Sequence, residues 1–104
     1  MGEYVAVGDA GSVPDGQIKV FPVGSHMIAV ARVEGRLYAF DDTCTHAACS
    51  LADGELEGAT VVCACHMGQF DLDTGEVLDG PPPDPIDVYA VQEADGKLLV
   101  ELGP

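Results

Sequence analysis

Apolar and polar residues alternate over short stretches of this chain, and turn residues interrupt them before any long helical period develops. Glu34-Gly35 separates His26–Val33 from Arg36–Phe40, which predicts a tight hairpin. Asp95-Gly96 separates Asp87–Gln92 from Lys97–Leu102 and predicts a second. Within the latter strand Leu98, Val100 and Leu102 share one face. Tyr4–Val7 and Gln17–Phe21 read as further short strands. In the middle of the chain Thr60–Cys63, Gln69–Leu72 and Glu76–Leu78 do so too, with a turn at Asp73-Thr74-Gly75. Seven prolines and 13 glycines reinforce an all-β reading. The expected fold is a small β barrel or sandwich of roughly eight to ten strands.

The segment from Asp41 to about Pro85 differs from its flanks. It holds all four cysteines and two of the three histidines, and it ends in Gly80-Pro81-Pro82-Pro83. Residues 41–85 therefore read as a subdomain inserted into a β scaffold formed by 1–40 and 86–104, the whole being one domain. The proline run is either a connector or a stiff cover over a site.

Length and charge narrow the function. At 104 residues the chain has room for one domain. A core of that size is marginal, so a staple would help. With 18 acidic and 4 basic residues the net charge is −14, and residues 37–96 carry 13 of the acids and no base. Such a surface repels nucleic acid and anionic lipid and attracts a basic protein partner. No apolar run is long enough to span a membrane as a helix, and the first basic residue is Lys19, so neither an anchor nor a secretory leader is expected. The expectation is a cytoplasmic monomer.

The candidate chemistry lies in two short motifs, Cys44-Thr45-His46 and Cys63-Ala64-Cys65-His66, with sixteen residues between His46 and Cys63. Each supplies a thiolate and an imidazole from one loop, so two loops can grip one object. Three readings compete. A structural zinc accepts Cys2His2, but finger-type sites draw their cysteines as one pair and their histidines as another. Thiol redox chemistry is poorly served by Cys63-Ala64-Cys65 without a βαβ pattern. A [2Fe–2S] cluster with cysteines on one iron and histidines on the other suits mixed loops best, because each loop then gives one ligand to each iron.

Cys44-x-His46 followed by Cys63-x-x-His66 resembles the Rieske iron–sulfur signature. Gly68-Gln69-Phe70-Asp71, Thr74-Gly75 and the Gly80-Pro81-Pro82 run resemble the segments that follow it in Rieske ferredoxins. The resemblance implies a [2Fe–2S] cluster held by Cys44 and Cys63 on an inner iron and by His46 and His66 on an outer, near-surface iron. It also implies a one-electron carrier rather than an enzyme. Such a carrier is reduced by a flavin-dependent NAD(P)H reductase and passes its electrons to a terminal Rieske non-haem iron oxygenase, often one acting on aromatic rings. Cys49 and Cys65 resemble the additional pair that forms a disulfide in the Rieske proteins of respiratory cytochrome bc complexes. The serine and tyrosine that follow the second motif there are replaced by Gly68 and Phe70, which have no hydroxyl, so a low potential for this class is expected. A fixed small subunit of a larger redox complex, such as that of nitrite reductase, is the alternative. His26 is expected to be structural, and Tyr4, Phe21, Tyr38, Phe40 and Tyr89 are expected to be core rather than electron relays. Asp53, Glu55 and Glu57 are expected on a solvated face, and Met67 is a candidate apolar docking contact.

Overall fold

The computed structural model describes residues 4–24, 26–42, 50–63, 68–79 and 86–101. Within them the strands are β1 (Tyr4–Asp9), β2 (Ile18–Val23), β3 (His26–Val33), β4 (Arg36–Asp41), β5 (Glu55–Glu57), β6 (Thr60–Val62), β7 (Gln69–Asp71), β8 (Val77–Asp79), β9 (Val88–Tyr89), β10 (Val91–Ala94) and β11 (Lys97–Glu101). Two single-turn 3-10 segments, Ala10–Ser12 and Leu51–Asp53, join them. The strands form three antiparallel sheets, ordered β1-β11-β10, β2-β3-β4-β9 and β5-β6-β7-β8.

Both predicted hairpins are present. Glu34 and Gly35 sit at φ 51° and 81°, and Asp95 and Gly96 at 52° and 76°. Two consecutive positive φ values are what a two-residue type I′ turn requires, and its twist matches that of the strands it joins. Lys97 Nζ lies 2.6 Å from Asp9 Oδ1, across a register pair of β11 and β1, and holds the Asp9 carboxyl below its ordinary value.

The β3–β4 hairpin organises the interior, because both of its faces are buried. Ala29, Ala31, Tyr38 and Phe40 point into one core with Leu51, Val61, Cys63, Phe70, Leu72 and Ile86. Ile28, Val30 and Ala39 point into a second core with Ala10, Val13, Leu98 and Val100. Double burial explains why Met27–Ala31 reads as a continuous apolar run instead of an alternation. The first core joins the hairpin to the β5–β8 sheet, and the second joins it to β11.

Three expectations need correction. Asp87–Gln92 is two strands: β9 pairs with β4, and after Ala90 the chain crosses to pair β10 with β11. The Ala90 carbonyl accepts the Glu101 amide at 2.9 Å, so the crossing loses no ladder bond there. Glu55–Glu57 is a strand, not only a solvated face: Glu55 and Glu57 are exposed as expected, but Leu56 packs against the first core. These two features raise the strand count to eleven among the described residues. Tyr4 is 43% exposed and belongs to neither core, whereas Tyr38 and Phe40 are buried, and Phe21 and Tyr89 pack against the second core.

Gly54 shows how tightly the third sheet is seated. Its backbone is extended, at φ −86°, but a Cβ there would overlap the Val62 carbonyl oxygen. Gly58, in the two-residue turn between β5 and β6, has φ +60° and open space around it. Gly54→Ala should therefore cost about 1–3 kcal/mol through overpacking against main chain. Gly58→Ala should cost only the roughly 1 kcal/mol of a strained φ. Denaturant melts of the two variants check that order.

Candidate metal centre

Two loop bases can be built residue by residue. At the first, β4 ends at Asp41 and the chain leaves through Asp42, which is buried at 6% exposure. The Asp42 amide donates to the Met27 carbonyl at 3.0 Å, and its own carbonyl accepts the Leu51 amide at 2.6 Å. Its carboxylate accepts Ser50 Oγ–H at 2.6 Å and the Ala52 amide at 2.9 Å. The departure and return of segment 43–49 are thus tied together by one residue.

At the second base the β6–β7 ladder runs through Val62↔Gln69, and the Cys63 amide extends it by donating to the Gly68 carbonyl at 2.7 Å. Cys63 is completely buried and its thiol is free. It shares the first core with Leu51, the residue on which the first segment lands. The close approach of Gly54 to Val62 fixes the two bases against each other.

A third segment, 80–85, departs beside them. Asp79 pairs with Gln69, next to the second base. Beyond the segment the Ile86 amide donates to Gly75 at 2.9 Å, and the Asp87 carbonyl accepts the Asp41 amide at 2.9 Å, next to the first base. Hydrogen bonds among the described residues flanking these segments thus tie Asp41 and Asp42 to Leu51 and Asp87, and Cys63 to Gly68.

Of the sequence-predicted ligands, Cys63 falls within the described residues. Cys44, His46 and His66 lie outside them, as do Cys49, Cys65, Met67 and the Gly80–Pro83 run. His26 is exposed at the start of β3. Sequence reasoning missed Asp42 and Gly54. Neither had a motif to mark it, since one acid among 18 and one glycine among 13 look ordinary until the chain is folded.

A fully buried thiol with its backbone locked in a ladder is a suitable donor for the inner side of a cluster, where solvent must be kept away. The chemistry of the donor set that the sequence predicts agrees: two thiolates and two imidazoles, split between two loops, would match a Rieske site. Comparison with known proteins decides the matter. Residues 3–90 match the Rieske [2Fe-2S] domain. The chain belongs to the Rieske [2Fe–2S] domain family. Its cofactor is accordingly a Rieske-type [2Fe–2S] cluster.

Among curated relatives, the ferredoxin component of the naphthalene 1,2-dioxygenase system of Pseudomonas aeruginosa is 36% identical over 90 residues, covering 86% of each chain. Among solved structures, the Sphingomonas yanoikuyae B1 ferredoxin superposes with a TM-score of 0.89 at 29% identity, covering 97% of this chain and 100% of that one. A chain from the complex of reduced oxygenase and oxidized ferredoxin in carbazole 1,9a-dioxygenase gives a TM-score of 0.85 at 34% identity, covering 94% and 92%. Among the described residues of this Rieske protein, no helix is long and apolar enough to cross a membrane.

Away from the loop bases, a groove of about 560 Å³ runs between β4 and the β9–β10 crossing. Its arginines are already engaged: Arg32 pairs with Glu93 at 3.4 Å and donates to the Ala10 and Val13 carbonyls, and Arg36 pairs with Asp73 at 3.4 Å and lies over the Tyr38 ring. Tyr89 also lines it, and burial raises its phenol above the ordinary value, with the charges of Asp41 and Asp87 adding to the effect.

The folded state therefore holds the Tyr89 proton more tightly than the unfolded chain does. Its contribution to stability is full below the ordinary tyrosine pKa of 10.0 and is lost as pH rises through the raised value. Ultraviolet titration should show Tyr89 ionising late. Because burial is the main cause, Asp87→Asn should bring that pKa down only part of the way towards 10.0.

Proposed function

We propose that this Rieske protein is a one-electron carrier that serves a terminal oxygenase of an aromatic-ring-oxidising system and is itself reduced by a flavin-dependent NAD(P)H reductase. The observation that supports the reading most is its near full-length similarity to stand-alone ferredoxins, 97% of this chain against 100% of one of them, on a fold that buries Cys63 at the base of a ligand loop. The carbazole 1,9a-dioxygenase relative comes from a complex between ferredoxin and oxygenase, which supports the identity of the acceptor.

On this reading Cys44 and Cys63 hold the inner iron, and His46 and His66 hold the outer one. When bound, the cluster supplies a site that takes up and releases a single electron. The residues around it do the rest. Cys63 and the first core keep water from the inner side, and the two loop bases hold the ligand loops at a fixed separation. Four protein ligands leave no open position for a substrate, so the chain has no chemistry of its own to perform. Residues 41–85 form the cluster-binding subdomain of a single domain, and the protein works as a cytoplasmic monomer. The acidic surface steers a partner with a basic rim towards the cluster end and lets it leave again, as a shuttle requires.

Gly68 and Phe70 are both buried beside the second base and neither has a hydroxyl to donate to the cluster. Fewer donors leave the reduced state less stabilised. The midpoint potential should fall in the lower half of the Rieske range, roughly −150 to +75 mV, by protein-film voltammetry. A midpoint near the upper end of that range would refute this assignment.

Reconstituted turnover tests the role itself. With reductase and terminal oxygenase components present, substrate oxidation should require this protein and should slow as salt rises. Cys63→Ser should abolish both the visible colour and the turnover. Turnover that proceeds equally well without the protein would overturn the proposal, and flat kinetics across a tenfold range of salt would overturn the steering.

A further inference from the structure

The residue with the most converging contacts at the loop bases is one that no ligand motif includes. With other described residues Asp42 makes four hydrogen bonds, one to Met27 on β3 and three to Ser50, Leu51 and Ala52, where segment 43–49 returns. The side chain is buried, and both of its oxygens act as acceptors. Among the described residues no ion pair includes it: Arg32, Arg36 and Lys97 pair instead with Glu93, Asp73 and Asp9, and Lys19 is exposed on β2. Among the described residues its donors are the neutral Ser50 hydroxyl and Ala52 amide, and no described cation compensates the carboxylate.

Covalent geometry limits how far that charge lies from the ligand loop. Asp42 precedes Cys44 by two residues, so their Cα atoms are at most about 7 Å apart. A like charge at about 10 Å, with an effective dielectric near 20, changes an equilibrium constant by roughly tenfold. The oxidised cluster is formally neutral with two thiolates and two neutral imidazoles, and reduction adds a negative charge. A fixed negative charge beside it opposes that step.

We propose that Asp42 is a positioning residue that clasps the two ends of the first ligand loop, and that its fixed charge also holds the cluster's reduction potential down. This rests on the reading that the two loops carry the cluster.

Asp42→Asn separates the two roles. The amide oxygen still accepts from the Ala52 amide, and its NH2 group donates to Ser50 Oγ once that hydroxyl rotates, so the clasp persists without the charge. Ser50→Ala removes one bond of the clasp and keeps the charge, and Asp42→Ala removes both. The midpoint potential and the rate of iron loss to a chelator are measured on the cluster-loaded proteins. Asp42→Asn should lose iron at close to the wild-type rate while its reduction equilibrium constant rises roughly tenfold, a positive shift of about 59 mV for one electron. Ser50→Ala should lose iron several-fold faster with an unchanged midpoint, and Asp42→Ala should lose it tenfold faster or more.

A wild-type midpoint in Asp42→Asn overturns the electrostatic role. Wild-type iron retention in both Ser50→Ala and Asp42→Ala overturns the clasp. If Asp42→Ala does not fold, Ser50→Ala alone decides the clasp by the same criterion. Exchange of the Ala52 amide reads the clasp without reference to the cluster: it should be faster in Ser50→Ala than in wild type, and equal rates count against the clasp even where the electron-carrier reading holds. A wild-type protein that binds no cluster overturns that reading and the electrostatic role, while the exchange result still judges the clasp.

Discussion

A binuclear cluster held by two separate loops, as proposed for this chain, would need those loops at a fixed distance from one another, and the described residues at the loop bases meet that requirement. The distance is set at the bases. Asp42 bonds Ser50, Leu51 and Ala52 across the ends of segment 43–49, Cys63 bonds Gly68 across the ends of segment 64–67, and Gly54 lies against the Val62 carbonyl between them. That contact exists only because position 54 has no side chain. Beneath it, Leu51 and Cys63 share a core with Phe40 and Phe70, so a displacement at one base is felt at the other.

The β3–β4 hairpin is what makes such a platform possible in so short a chain. Because both faces are buried, one pair of strands serves two cores, and the small side chains of Ala29 and Ala31 on one face leave room for the β5–β8 sheet to come close. The larger Ile28 and Val30 fill the opposite side against Leu98 and Val100. Charge is excluded from both cores: the buried carboxylate of Asp42 sits at the edge, satisfied by Ser50 and Ala52. Most of the other acids among the described residues are exposed, and Asp9, Asp73 and Glu93 among them pair with Lys97, Arg36 and Arg32.

Much of this was legible beforehand, for identifiable reasons. The Glu34-Gly35 and Asp95-Gly96 hairpins were readable because their turn geometry demands residues that tolerate positive φ. The Cys and His spacing announced the chemistry, because few other patterns place a thiolate and an imidazole in each of two loops. The crossing at Ala90 was hidden, since an alternating strand keeps its pattern when it changes partner, and the signal lies in which strand it meets. β5 was hidden by its brevity: Glu-Leu-Glu is too short to distinguish from an acidic turn. The importance of Asp42 and Gly54 is a property of contacts distant along the chain, which no local pattern encodes. Of the four expected ligands, the structure places Cys63, and the family match supplies the cofactor that the other three are proposed to bind.

The account stands on a mixed ligand set, sulfur on one iron and imidazole nitrogen on the other. Pulsed electron paramagnetic resonance of the reduced protein, with histidine labelled by nitrogen-15, reads that set directly. The account predicts strong coupling to two imidazole nitrogens, with the coupling to one of them lost in His46→Cys and to the other in His66→Cys. A paramagnetic centre with no strongly coupled histidine nitrogen, or purified protein with no paramagnetic signal on reduction, would contradict it.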